Sequence, residues 1–413
     1  MPHKCRVCSA EAMPVISYGK MPLANAFLTP DQYTKEYFFE LAVAHCPSCK
    51  MFQLIDQPYP AMMFHGEYAF FSGTSKKMAD HFEAKAKSHI QNFVPDKNNA
   101  FVVELGSNDG IMLKHFAAQK IKHLGIEPSA NVAKVAQAAG VNTIVEFFGA
   151  ETAQKVKDEY GQADIISASN VMCHIPDLDS VGRGVDILLK DNGVFEFEDP
   201  YLGDMIAKTT YDQVYDEHVW IFSVQSVSNA FARHDLEVFH VEPLGTHGGS
   251  MRYHLCRKGA HAIRPSVTKQ LKFEADLGLD KTETYKKFAA NCEKNKKEFV
   301  ELLQNLKKQG KRVVGYAATS KSTTVLNYCG IGPDLIECIY DTTPIKQGKF
   351  SPGMHIPVKS FDEFRKTYPD YAVLFAWNHA AEIFEKETDY AAKGKKWILF
   401  CPEVKEIEQA KAA

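Results

Sequence analysis

The sequence of 413 residues contains no apolar run approaching the roughly 20 residues that a membrane-spanning helix needs. Its opening, Met1-Pro2-His3-Lys4-Cys5, lacks the apolar centre of a secretory signal. A cytoplasmic protein with no membrane partner is expected. There is also no excess of positive charge. Forty-eight Lys and Arg face 51 Asp and Glu, a net charge of -3, which removes the electrostatic reason to expect nucleic acid as a partner. Ten cysteines in a chain of this length do not make a disulfide scaffold, and in a reducing compartment they point to metal binding or plain burial. What is left, 45% hydrophobic and 24% charged residues, is the composition of a globular protein of two or three domains.

Four cysteines are patterned. Cys5 and Cys8 form one C-x-x-C pair, and Cys46 and Cys49 form a second. Each pair presents two thiolates from a tight turn, and two such turns complete a tetrahedral zinc site with no position left for water. Such a zinc ion is structural. A redox-active pair, or four free thiols, is the alternative. Arg6 and Lys50 would offset the thiolate charge, and His3 and His45 read as bystanders. These residues mark a zinc-binding domain over 1–66.

The next signal is the apolar run Phe101-Val102-Val103 leading into Glu104-Leu105-Gly106-Ser107-Asn108-Asp109-Gly110 and an amphipathic stretch. A strand, a glycine-rich turn and a helix are the first unit of a doubly wound α/β domain. The pattern is E-x-G-x-x-x-G and not G-x-G-x-x-G, so it suits a nucleoside cofactor without a pyrophosphate. Lys122–Ile126 reads as a second strand ending at Glu127, where ribose hydroxyls are bound. Ala163–Asn170 and Gly193–Glu198 read as further strands, with Asn170 at a carboxyl end facing the ligand. Glu104, Gly106, Asn108, Asp109, Glu127 and Asn170 thus form a methyltransferase-type cofactor site. Phe147 and Phe148 either flank an adenine, with Phe148 the preferred residue, or belong to the core.

Between later strands lies Tyr211-Asp212-Gln213-Val214-Tyr215-Asp216-Glu217-His218-Val219-Trp220. A histidine beside a carboxylate suits a general base, since the anion would raise its pKa and orient it. A surface helix with a buried histidine is the plainer reading. His174 is a rival base or a substrate group, and Tyr68, in the linker before the cofactor domain, is a candidate lid residue. Farther on, Lys311–Thr323 reads as strand, turn and helix start. Its Tyr316 and Lys321, with Lys346, suit a phosphorylated substrate. His247 and Arg252, in His247-Gly248-Gly249-Ser250-x-Arg252, either grip substrate or form a tight turn. Lys281–Lys308 reads as a solvated helix and connector.

The ordered set C-x-x-C twice, E-L-G-S-N-D-G, N-V-x-x-H-I-P-D, Y-x-E-H, H-G-G-S-x-R and Asp341-x-x-Pro344-x-Lys346-Gln347-Gly348 resembles the C-methyltransferases of nucleotide-linked 4-keto sugars, over essentially the whole chain. The resemblance implies an α/β protein of three parts. These are a small zinc-binding domain (1–66), a central Rossmann-like S-adenosylmethionine (SAM) methyltransferase domain (67–262) and a C-terminal Rossmann-like domain holding the nucleotide sugar (263–413). It makes His218 the base at sugar C3, with Glu217 supporting the imidazolium and Tyr215 or Tyr68 hydrogen-bonding the enolate oxygen. The cofactors implied are SAM and structural zinc, and the substrate a TDP- or GDP-linked 4-keto sugar; a monomer is expected. Ser169-Asn170 stands where the family often has two asparagines, and Phe70-Phe71 where a further tyrosine is frequent. Rival readings are an O- or N-methyltransferase, an idle methyltransferase fold that binds partners through its zinc module, and an NAD-linked oxidoreductase.

Overall fold

The computed structural model describes residues 3–63, 72–74, 76–94 and 96–408. Tyr68 and the rest of 64–71 lie outside them. Three sheets organise the chain.

The central sheet has seven strands. In spatial order they are Leu236–Leu244, Ser250–Arg257, Leu189–Pro200, Ala163–Ser169, Phe101–Leu105, Lys122–Ile126 and Thr143–Ile144. The last five are parallel, and the first two form an antiparallel hairpin along the Leu189–Pro200 edge. Phe101–Leu105 is buried along its whole length, as expected of a parallel strand covered on both faces. Strand order reverses on either side of Phe101–Leu105, which opens the ligand crevice at its carboxyl end. That is where Glu104 to Gly110 lie.

The N-terminal sheet is antiparallel: His3–Lys4, Glu11–Pro22, Phe38–His45, Phe52–Leu54 and, from far along the chain, Trp220–Ile221. Trp220 pairs with Gln53, and its indole N–H donates to the Ile175 carbonyl at 2.7 Å. The segment immediately after His218 is thereby stitched to the cysteine-bearing module.

The C-terminal sheet runs Val358–Ser360, Ile339–Asp341, Val313–Tyr316, Tyr371–Leu374, Lys396–Leu399 and Lys405–Ile407. Only the last strand is antiparallel. In chain order this is 3-2-1-4-5-6, the Rossmann arrangement. The α/β class of both larger regions follows from these topologies.

Two helices behave differently from the sequence reading. Thr282–Lys308 is more than a solvated connector: Phe288, Cys292, Phe299, Leu303 and Leu306 are buried along one stripe of it, at the helical spacing of an amphipathic face. Pro265–Leu277, assigned by sequence to the third region, packs on the central sheet. There the buried Glu274 carboxylate accepts the backbone N–H groups of Val224 (2.6 Å) and Gln225 (3.0 Å) and the Tyr201 hydroxyl (2.9 Å). Val224 opens a helix, so Glu274 satisfies N–H groups that a helix start leaves without partners.

The cores are shared between regions. One joins Cys5, Cys46 and Cys49 to Phe195, Phe197 and Phe231 of the central sheet. Another joins Tyr18 and Leu41 of the N-terminal sheet to Tyr211 and to Phe288 and Leu326. Phe197 touches Phe195, Phe222, Phe231 and Tyr253. Phe197→Ala should therefore cost about 3–5 kcal/mol and lower the urea midpoint of the central region, read by near-ultraviolet circular dichroism.

Candidate active site

The four cysteines converge. Cys5 and Cys49 sulfurs are 3.5 Å apart, as are those of Cys8 and Cys46, and all four lie within 4.8 Å of one another. Tetrahedral zinc with Zn–S of about 2.3 Å holds its sulfurs roughly 3.8 Å apart, so the set fits zinc. The two turns match. Ser9 N donates to the Cys5 carbonyl and Lys50 N to that of Cys46, both at 2.9 Å, with Ser9 and Lys50 at positive φ. Hydrogen bonding with Cys49 holds the Cys5 thiol down to about 4, so this residue offers the thiolate that a metal binds. Arg6 and Lys50 spend their side-chain donors on the carbonyls of Ile55 and Pro47. His45 stacks on Tyr285 at 4.2 Å.

At the crevice, Gly106 has φ +60°, and a Cβ there would collide with the Val171 side chain, so only glycine fits this turn. Glu104 is buried, and burial pushes its carboxyl well above the usual range. Its Oε2 has no hydrogen-bond partner among the described residues, and neither has Asp109 Oδ1. Buried acceptors left this way are costly, and the hydroxyl and amino groups of a nucleoside cofactor would satisfy them. Asn108 N and Ser129 N donate to the two oxygens of Glu127 at 2.9 and 2.8 Å, locking the second strand's end to the glycine turn. Ser72 N donates to Asn108 Oδ1 at 3.0 Å and Gly73 N to Asp109 Oδ2 at 2.8 Å, so residues 72–73 cross the same turn. Asn170, at φ +54°, donates its N–H to the Glu198 carbonyl at 2.7 Å. Phe148 is buried against Gly184, whereas Phe147 is 54% exposed.

A buried histidine cluster forms where the three sheets meet. His218 Nδ1–H donates to the Gln213 carbonyl at 2.7 Å, and the Tyr215 hydroxyl lies 2.7 Å from Nε2. With Nδ1 as donor, Nε2 carries the lone pair and accepts from Tyr215. The His174 ring stacks on His218 at 5.3 Å. Burial, then His174, push His218 well below its ordinary value, and burial takes His174 to about 4. Both imidazoles are neutral at pH 7. The His247 carbonyl accepts from Lys321 Nζ at 3.2 Å, and Lys346 Nζ donates to the Ala318 carbonyl at 2.8 Å. Burial lowers both lysines below their usual range.

This geometry corrects one sequence expectation. The Glu217 carboxylate does not contact His218 or raise its pKa. It accepts from Asn25 Nδ2 at 2.7 Å, and burial pushes it up to about 7. His218 instead folds back to Gln213, five residues upstream, because the loop turns through a hydrogen bond from His218 N to the Tyr215 carbonyl. Arg252 and Tyr316 are engaged by carboxylates. The Arg252 guanidinium is held by Glu198 at 2.7 Å and Glu242 at 3.0 Å. The Tyr316 hydroxyl donates to Glu387 at 3.2 Å, inside a cage of Phe361, Phe364 and Trp397. Residues without a sequence signal also contribute. Asn25 anchors Glu217 from 192 residues away, Trp377 donates to Asp212 at 2.7 Å, and Lys85 Nζ donates to Ser169 Oγ at 2.6 Å beside Asn170.

A chain with a four-thiol zinc centre, a SAM-type crevice and a buried imidazole at the junction is of the methyltransferase class. Comparison with known families agrees in three successive segments: a zinc binding domain over 5–64, a methyltransferase domain over 78–241 and a C-methyltransferase C-terminal domain over 245–402. The chain is 33% identical to C-methyltransferase NovU of Streptomyces niveus over 407 residues, 98% of this chain and 96% of that protein. It belongs to the SAM-dependent C-methyltransferases with an N-terminal zinc site, and SAM and zinc are its cofactors. Among solved structures it is similar to a SAM-dependent methyltransferase of Anabaena variabilis (16% identity, 42% of this chain and 84% of that one, TM-score 0.33). It is also similar to the magnesium protoporphyrin IX methyltransferase of Synechocystis (12%, 44% and 82%, TM-score 0.32). Likenesses this remote carry no argument. No helix among the described residues is long and apolar enough to cross a membrane.

Two outcomes are expected. Gly106→Ala should weaken S-adenosylhomocysteine binding at least tenfold by calorimetry, about 1.4 kcal/mol, while zinc content stays at one ion per chain. Removing zinc with a chelator should lower the melting temperature and the turnover number together, because Trp220 is paired to the zinc-bearing sheet; activity independent of zinc content would contradict that link.

Proposed function

We propose that the protein C-methylates a nucleotide-diphosphate-linked 4-keto sugar, TDP- or GDP-linked, at C3. The carrying observation is the neutral imidazole of His218, buried with its basic Nε2 toward a phenol. A ketone acidifies the adjacent C–H, and a neutral buried imidazole is suited to take that proton. The C–H electron pair passes into the enolate, whose oxygen accepts a hydrogen bond from Tyr215, released from Nε2 when that nitrogen is protonated; Tyr68 is a second candidate donor. S-adenosylmethionine, when bound, would supply an electrophilic methyl: C3 bonds to that carbon as its bond to sulfur breaks, and the electron pair stays with sulfur in the departing S-adenosylhomocysteine. Gln213 holds the ring through Nδ1 in both protonation states. Burial disfavours a long-lived imidazolium at His218, which favours release of the abstracted proton to solvent once the methyl has been transferred.

Lys321 and Lys346, buried against backbone carbonyls near this cluster, and His247 support binding of the diphosphate sugar. The cofactor is assigned to Glu104, Gly106, Asn108, Asp109, Glu127, Phe148 and Asn170. Arg252 and Tyr316, already engaged by carboxylates, serve the framework in this reading. We further propose domain boundaries at 66/67 and 262/263, with helix Pro265–Leu277 carried by the central sheet, and a cytoplasmic monomer whose cleft is built by one chain. Family membership favours carbon as the acceptor over oxygen or nitrogen.

The test is deuterium exchange at sugar C3 in heavy water, with a 4-keto nucleotide sugar and S-adenosylhomocysteine. Exchange by the wild type that disappears in His218→Ala supports the assignment; exchange that survives moves the base to His174 or elsewhere, and absence of exchange on any keto sugar removes the substrate class. The pH profile separates the two neighbours. Since the neutral form of His218 persists below pH 6.5, its acid limb in kcat/KM should lie below 6.5. A limb near pH 7 would instead belong to Glu217, whose carboxyl is pushed to about 7.

A further inference from the structure

On the outer hairpin of the central sheet, far along the sheet from the crevice strand, three metal-ligating side chains converge. His240 and Glu242 are two apart on Leu236–Leu244 and share a face; His254, on Ser250–Arg257, is the direct cross-strand partner of His240. The register shifts between Val238 and His240, and such a bulge re-aims the side chains that follow it. Glu242 Oε1 lies 3.1 Å from His240 Nε2 and 3.7 Å from His254 Nε2, and one ligand atom from each residue falls within 4.8 Å of the others. A divalent ion with ligand bonds near 2.0–2.2 Å holds adjacent donors roughly 3–3.5 Å apart, so small side-chain movements close this set around one ion.

The surroundings are those of a built site. His254 is 4% exposed, and neither of its ring nitrogens has a hydrogen-bond partner among the described residues, which is costly for a buried imidazole. His240 Nδ1 is engaged by Ser266 Oγ at 2.7 Å, leaving Nε2 for a ligand. Glu242 Oε2 is held by Arg252 at 3.0 Å, leaving Oε1. Metal ligands are commonly oriented by such outer hydrogen bonds. Among the neighbouring charges, Lys85, Arg252 and Arg264 stand against the carboxylates of Glu196, Glu198 and Glu242, so an entering divalent ion would meet no uncompensated positive charge. Glu242 is partly exposed, which gives an ion a way in and leaves room for water.

We propose that His240, Glu242 and His254 bind a second divalent transition-metal ion of the zinc, cobalt or nickel class, separate from the four-cysteine centre. Two imidazoles and one carboxylate suit these ions better than magnesium or calcium. Arg252 joins Glu242 to Glu198 on the neighbouring strand Leu189–Pro200, so the ion would pin the outer hairpin to the body of the sheet.

The experiment titrates cobalt(II) into full-length protein whose cysteine site is filled with zinc, following weak visible bands for nitrogen and oxygen ligation and counting metal per chain. One additional cobalt per chain is expected, without the near-ultraviolet thiolate band that exchange at the cysteines would give. His240→Ala and, separately, Glu242→Gln should each weaken that binding at least tenfold while retaining one zinc and wild-type S-adenosylhomocysteine affinity. His254→Ala should do the same if it folds, and the other two variants decide the matter if it does not. Uptake of no second metal, or uptake unchanged in His240→Ala and Glu242→Gln, overturns the site.

Discussion

The loop from Tyr211 to Val219 is buried except for the half-buried Tyr215, and a buried polar loop must find its hydrogen-bond partners inside protein. It finds them in the other two regions. The Asp216 carboxylate accepts from Ala24 N at 3.1 Å, Asn25 Nδ2 donates to Glu217, and the Val214 carbonyl accepts from Thr324 Oγ1 at 2.8 Å. The same short N-terminal segment reaches the C-terminal helix directly: Thr323 Oγ1 donates to the Ala24 carbonyl at 2.8 Å and Ser320 Oγ to Asn25 Oδ1 at 3.0 Å. Three regions thus meet on one set of hydrogen bonds, and the position of His218 depends on all of them.

This junction also sets the chemistry. In water a carboxylate next in sequence to a histidine would favour the imidazolium. Here burial costs the charged form more than any neighbour returns, and Glu217 is itself pushed toward its neutral form. Desolvation wins over attraction because Glu217 is turned toward Asn25 while His218 Nδ1 is committed to a backbone carbonyl. A neutral imidazole with one defined tautomer is the result.

Beneath the crevice a second polar layer does comparable work. Lys85 reaches Glu196 at 3.1 Å with both side chains wholly buried, and Glu198 receives His81 at 2.6 Å and Arg252 at 2.7 Å. Removing one partner of such a set leaves an uncompensated buried charge. The layer docks helix Lys76–Phe93 on the sheet, and residues 72–73 ahead of that helix cross the glycine turn. Cofactor loop and helix are therefore held in one arrangement.

Local features were legible in the residues alone. The cysteine knuckles need only short spacings, and the glycine turn is legible because Gly106 must adopt positive φ against Val171. The central strands announce themselves as apolar runs ending in polar residues, and the joint order of motifs carried the family. Tertiary structure decided what depends on distance along the chain: that Trp220 joins the N-terminal sheet, that Glu274 caps a helix some 50 residues earlier, and that Arg252 is spent on Glu198 and Glu242. Above all it decided the partner of Glu217. Adjacency in sequence says nothing about where two side chains point once a loop is buried, and the residue that claims this carboxylate, Asn25, lies 192 positions away.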